Sequence, residues 1–321
     1  MNILKLEDLT VYYETQRGYV KAVEGVHLAV KEREALGLAG ESGCGKTTVA
    51  LSILRILPPE GIIKRGKILF RDIDIAKLSE SEIREKIRWK KISMVFQGAM
   101  NALNPVYKIG DQIVEAITTH YPDVSKEEAM ERARKLLELV GIEPSRVDNY
   151  PHEFSGGMKQ RAVIAMALAT NPELLIADEP VTALDVVIQA QILKLLKDLK
   201  KKLKLSLILI THDLSVITET CDSVAIMYAG KIVEKGTVHE IYTEPLHPYT
   251  QGIISAFPNL YAPRTRLSSI PGFPPDLLNP PPGCRFHPRC KYAMDICRRK
   301  EPPLIDSGGG HLVACHLIGS E

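Results

Sequence analysis

Cysteine is scarce through most of this 321-residue chain: only Cys44 and Cys221 stand before residue 284. No disulfide framework is therefore expected there. Long hydrophobic runs are missing too. The longest, 162–169, sits beside Lys159 and Arg161 and is far short of the ~18 residues that cross a bilayer. The first residues, MNILKLEDL, carry acids inside their apolar stretch, so no signal peptide is expected. Neither sign of charge dominates: 41 Lys+Arg face 39 Asp+Glu, a net +2, which gives no support for nucleic acid as a partner. There is no internal repeat and no low-complexity tract. A chain of this length and ordinary composition, 45% hydrophobic and 25% charged, suggests about two globular domains.

What is present alternates between strand and helix patterns. Leu4, Leu6, Leu9 and then Val20, Val23, Val26, Leu28 and Val30 alternate as strands do, and 35–39 reads as a short buried strand. A helix is predicted from about Lys46 to Leu57, stopping at Pro58-Pro59, and an apolar strand over 92–96. Helical spacing dominates 98–161, with Gly141 as a helix stop, suggesting a helical insertion between two α/β halves. Strands at 173–178, 205–210 and 223–228 then alternate with helices at 186–203 and 214–220. This pattern predicts a mainly parallel sheet covered on both faces. Ten of the 21 prolines fall in 262–321, so the tail reads as largely irregular.

Three sites carry chemistry. Gly40-Glu41-Ser42-Gly43-Cys44-Gly45-Lys46-Thr47-Thr48 follows a strand and opens a helix, the context of a phosphate-binding P-loop. Its backbone N–H groups and helix N-terminus suit phosphates, Lys46 suits the β- and γ-phosphates, and Thr47 suits Mg²⁺. Asp178 ends an apolar strand where an acid can hold the Mg²⁺ shell, and Glu179 beside it is the candidate general base. Ser155-Gly156-Gly157 opens an Ala-rich helix, another turn able to approach a phosphate closely.

In order and spacing, these motifs resemble the ATP-binding-cassette family over residues 1 to about 240. The resemblance implies an α/β fold: a P-loop NTPase (RecA-like) core with an inserted α-helical subdomain at about 98–161, an antiparallel β subdomain, and an irregular, Cys-containing C-terminal extension over 241–321. It makes Gln97 the glutamine loop, Asp185 the D-loop acid facing a partner, and His212 the switch histidine at the γ-phosphate. Tyr13 becomes the ring that stacks on adenine, with Tyr12 the alternative. Ser155, Gly156 and Gly157 would complete only a partner's ATP site, in a head-to-tail dimer. Met158 stands where the family usually has glutamine.

Met100-Asn-Ala-Leu-Asn-Pro105 and Pro245-Leu-His-Pro-Tyr-Thr-Gln-Gly252 are similar to the ATPase subunits of dipeptide and oligopeptide importers. His247 and Tyr249 read as an anchor packing the extension on the core. The resemblance implies a second ATPase subunit as a heterodimer partner, two membrane-spanning permease subunits and, indirectly, an extracytoplasmic substrate-binding protein. It places the chain peripherally on the cytoplasmic face of the membrane. Nickel or oligosaccharide cargo is the alternative. A soluble cassette ATPase of DNA repair or translation would need a long coiled-coil insert or a second cassette, and a purely regulatory nucleotide binder would not need Glu179 and His212. Cys284, Cys290, Cys297 and Cys315, separated by 5, 6 and 17 residues, lack the C-x₂-C pairs of zinc ribbons. Four thiolates can hold Zn²⁺ or a [4Fe–4S] cluster. The subfamily implies the cluster, as a staple for the irregular tail, with Zn²⁺ as the alternative.

Overall fold

The computed structural model describes residues 1–256 and 270–318. The chain divides into two compact units. One comprises Met1, Val30–Ala35 and Lys77–Ile210, the other Asn2–Ala29, Leu36–Ala76 and Thr211–Glu321.

The alternating N-terminal residues form β1 (Asn2–Thr15) and β2 (Gly18–Lys31), and the apolar run forms β3 (Ala35–Ala39), buried throughout. A glycine-rich turn leads into α1 (Lys46–Leu54). This helix ends three residues before the expected Leu57 because Arg55 takes a left-handed cap, its N–H donating to Leu51 and Ser52 carbonyls. β4 (Gly61–Phe70) and β5 (Ile73–Asp74) follow, then α2 (Glu80–Lys86), started by a Ser79/Glu82 capping box. After β6 (Ile92–Val95) come α3 (Ile109–His120), α4 (Lys126–Leu139) and α5 (Gly156–Ala167). Gly141, at φ +75°, stands just beyond the end of α4. The chain continues through β7 (Leu174–Asp178), α6 (Val186–Leu203), β8 (Ser206–Thr211), α7 (Leu214–Thr220), β9 (Ser223–Tyr228) and β10 (Lys231–Thr237). Last are α8 (Val238–Thr243), α9 (Pro248–Ser255), α10 (Asp295–Arg299) and two short strands, β11 (Ile305–Asp306) and β12 (Leu312–Val313).

In the unit built on 77–210, β6, β7 and β8 run parallel in adjacent positions. Every residue of these strands is buried, as expected of strands covered on both faces. α6 buries Ile192, Leu193, Leu196 and Leu199 and ends in Lys200, Lys201 and Lys202, which suit the negative end of its dipole. Gly157 in α5 lies against α6: a Cβ there would sit 2.8 Å from Ile188 Cγ2.

The other unit holds an antiparallel sheet ordered β2-β1-β4-β5. It also contributes β3 parallel to β9, followed outward by the antiparallel partners β10, β12 and β11. Mixed sheet and covering helices make an α/β structure. Beyond the β9 end, Tyr228, Tyr249 and Phe286 pack as an aromatic trio with centroids 4.5, 5.2 and 5.3 Å apart. They join Ala39, Leu214, Ile217 and Ile226 in one buried cluster. Such pairs add to plain area burial.

Candidate nucleotide site

The loop after β3 is glycine-bound by necessity. Gly40 has φ +149°, and a Cβ there would lie 2.0 Å from the Met227 carbonyl oxygen; at Gly45, φ +106°, one would lie 2.2 Å from that of Ala22. No side chain caps α1, so its first turn is not blocked at the N-terminal end. Lys46, buried, curls back so that its Nζ donates to the carbonyls of Gly40 (2.7 Å) and Glu41 (3.0 Å). Ser42, Gly43 and Thr47 are exposed on the loop, while Cys44 and Thr48 are buried. Burial holds the Cys44 thiol above its usual range, so it stays protonated beside Lys46. A cationic, glycine-shaped loop with an exposed hydroxyl at a helix N-terminus fits a triphosphate and its Mg²⁺.

Neighbouring positions on β1 send their rings to different partners. Tyr13 Oη lies 3.1 Å from Thr48 Oγ1 on α1, whereas Tyr12 Oη donates to Glu24 (2.9 Å). His212 is exposed in this same unit, between β8 and α7, next to Asp213, which caps α7.

The other unit carries the acids. Asp178, 1% exposed, ends β7. Glu179 follows with φ +46°, its N–H donating to Ile210 O (2.9 Å). Its Oε2 accepts from Gln97 Nε2 (2.8 Å) and Thr182 Oγ1 (3.1 Å). Two residues 82 positions apart are thereby joined at the ends of β6 and β7. Ser155 caps α5 by accepting the Met158 N–H (3.4 Å); Gly156 is exposed and Gly157 buried against α6. Asp185 caps α6 by accepting the Ile188 N–H (3.0 Å), with Val186 and Val187 exposed beside it. Both turns are thus ordered by side-chain caps.

The His-Pro-Tyr stretch becomes intelligible as local chemistry. His247, 1% exposed, caps α9: its Nδ1 accepts the Tyr249 N–H (3.0 Å), which requires a neutral ring, and burial lowers its pKa to about 3. Pro248 occupies the first helical turn, where its missing N–H costs nothing. Tyr249 is fully buried, and its Oη accepts the N–H of Glu41 in the phosphate loop (2.9 Å).

The four tail cysteines do not form the expected centre, neither [4Fe–4S] nor Zn²⁺. All are free thiols, and among the described residues no group of three or more His, Cys, Asp or Glu side chains is gathered to hold a metal. Cys284, Cys290, Cys297 and Cys315 line one small cavity with Pro248, Phe286, Tyr292 and Leu317. Burial there pushes the Cys284 thiol up to about 11 and raises Cys290 and Cys315 as well. The tail is fastened by other means. Phe286 packs on the two tyrosines, Arg285 bonds the Ala229 carbonyl and Glu24, and Arg289 pairs with Glu41. The four cysteines are the conspicuous feature of this stretch, and Arg285 and Arg289 are not singled out by their spacing. The only local trace they leave is two cations close to Phe286 in a proline-rich stretch, which does not point to their distant partners.

Comparison with known proteins shows the family. Residues 23–182 match the ABC transporter family model, and residues 233–297 match that of the oligopeptide/dipeptide transporter C-terminal region. The chain is 50% identical over 320 residues to the oligopeptide transport ATP-binding protein OppD of Bacillus subtilis, covering 98% of this chain and 89% of that one. It is 44% identical over 316 residues to the dipeptide transport ATP-binding protein DppD of Caldanaerobacter subterraneus, covering 98% and 97%. Among solved structures it resembles the post-hydrolysis dimer of the ATP-binding cassette MJ0796 bound to ADP and Pi. That match has TM-score 0.65 and 29% identity over 73% of this chain and 98% of that one. It also resembles cbiO1 from Clostridium perfringens, part of the cbiONQ transporter, with TM-score 0.65 and 32% identity over 76% and 91%. The relatives' names speak of peptide transport and ATP, and none of a metal. The chain belongs to the ATP-binding subunits of dipeptide and oligopeptide ABC transporters.

Proposed function

We propose that this chain hydrolyses ATP to power import of di- or oligopeptides through a membrane ABC transporter. The observation that carries the reading is the near-full-length identity to peptide-transport ATP-binding proteins, spanning cassette and C-terminal region alike. Residues 1–240 act as the nucleotide-binding domain, with an antiparallel β subdomain and a helical subdomain over 98–161; residues 241–321 form the transporter-type extension.

In this reading Tyr13 stacks on adenine, residues 40–48 wrap the phosphates, and Lys46 faces the β- and γ-phosphates. Its side of β1, shared with Thr48 of α1, favours Tyr13 over Tyr12. Thr47 and Asp178 hold Mg²⁺, which supplies neutralising charge at the phosphates. Glu179 takes the proton of the attacking water, aimed by the Gln97 amide that already bonds its carboxylate. His212 meets the γ-phosphate. Ser155, Gly156, Gly157 and Asp185 face the ATP site of a second ATPase subunit, head to tail and in the cell a different chain. Exposed Phe96, Val106 and Tyr107 near the start of the helical region support docking on two permease subunits. Among the described residues no helix is long and apolar enough to cross a membrane. The chain then sits peripherally on the cytoplasmic face and reaches the extracytoplasmic binding protein only through the permeases.

Proteoliposomes holding the complete transporter test the reading. Peptide uptake should require ATP and this subunit. Uptake of nickel or an oligosaccharide in place of peptide would overturn the cargo assignment while leaving the ATPase assignment intact.

A further inference from the structure

Glu41, the second residue of the phosphate loop, is held on all of its polar groups. Its carbonyl accepts from Lys46 Nζ, and its N–H donates to Tyr249 Oη (2.9 Å). Its carboxylate takes two bonds from Arg289, Nη1 to Oε2 (2.6 Å) and Nη2 to Oε1 (3.0 Å), the planar fork geometry only arginine offers. Arg289 is itself fixed. Its Nε donates to the Pro271 carbonyl (2.9 Å), and its guanidinium lies over the Tyr228 ring, 5.8 Å from the centroid. Arg289 is 8% exposed and Tyr249 0%, so both groups that hold Glu41 are themselves shielded from water. A second line reaches the other end of the loop. Arg285 bonds the Ala229 carbonyl, and the next residue, Gly230, donates its N–H to Cys44 O (2.9 Å).

Tyr249, Arg285 and Arg289 all lie beyond residue 240, outside the stretch matched by the ABC transporter model. The MJ0796 cassette is covered over 98% of its length by only 73% of this chain. A cassette therefore completes its fold without such an extension, and here the extension nevertheless grips the phosphate loop. We propose that Arg289 and Tyr249 are positioning residues for that loop, through which the C-terminal extension sets the chain's affinity for nucleotide.

The inference rests on residues 40–48 being the nucleotide site, and the test separates the two. The full-length chain is titrated with MgADP, a probe that needs no partner turn. Lys46→Ala should abolish binding; unchanged binding would place the nucleotide elsewhere and overturn the site reading itself. Arg289→Met should weaken MgADP about tenfold, and Arg289→Lys, which restores charge without the fork, should recover part of the loss. Tyr249→Phe, which removes only the hydroxyl and keeps the ring, should weaken it several-fold. In a Glu41→Met background, Arg289→Met should add little, because the two act through one contact. The proposal is overturned if Arg289→Met and Tyr249→Phe both bind MgADP within twofold of the unaltered chain. It is equally overturned if Arg289→Lys binds as poorly as Arg289→Met and Tyr249→Phe binds normally, because Arg289 then serves only to fold the tail.

Discussion

Single side chains decide the chemistry. Glu179→Gln keeps a side chain of the same shape beside Gln97 yet removes the proposed base, so ATP turnover in the assembled transporter should fall by about 10²-fold or more. Turnover near that of the unaltered protein would remove Glu179 from the role proposed for it. His247 gives a pH signature. Its pKa falls from 6.5 to about 3 on folding, so the unfolded chain binds the extra proton between those values. Stability is full above pH 6.5 and is lost as pH falls toward 3, at about 1.4 kcal/mol per pH unit for one proton. Protonation would also remove the Nδ1 acceptor that caps α9 through the Tyr249 N–H. His247→Asn keeps a capping acceptor but cannot titrate. Its urea midpoint should show a shallower decline between pH 6.5 and 5. The residues proposed for the nucleotide site carry a signal in the sequence, because Gly40–Thr48 and Asp178-Glu179 need fixed residue types at fixed spacing. Arg289 carries none: its partner Glu41 lies 248 positions away, and no local pattern connects them.

Among the elements, the sequence was most informative where one period persisted. α6 spans Val186–Leu203 and α7 Leu214–Thr220, the residues their apolar spacing indicated. The early stop of α1 was hidden because its left-handed cap falls on Arg55, where glycine would have been the recognisable signal. The tail misled most. Four cysteines in an irregular, proline-rich stretch suggested that only a metal could order it, whereas aromatic packing and two long-range arginine contacts fasten it. α5 offers a test. Gly157→Ala would drive a methyl to within 2.8 Å of Ile188 Cγ2, separating α5 from α6. We expect about 1–3 kcal/mol of lost stability in thermal or urea melts, together with reduced turnover. For the stability of the single chain, Ser155→Ala removes the cap and should cost about 1 kcal/mol.

For the assembled protein, the exposed Val186 and Val187, 80% and 67% accessible beside the Asp185 cap, are surfaces a lone chain gains nothing by presenting. In a Glu179→Gln background, which should trap bound ATP, size-exclusion chromatography should show an ATP-dependent dimer, either with itself or with its sister subunit. Adding Val187→Glu should abolish that dimer and leave MgADP binding by the single chain unchanged. Persistence of the dimer would move the interface elsewhere.

The backbone of Glu179 has one further consequence. At φ +46° a glutamate sits where glycine and asparagine are at ease, at a cost of about 1 kcal/mol. Asparagine or glycine there would relax the chain and raise the melting temperature by roughly 2 °C. Laboratory selection for heat resistance alone would thus be drawn toward discarding the residue on which hydrolysis is proposed to depend. Thermal hardening of this ATPase is safe only when every round is also scored for turnover.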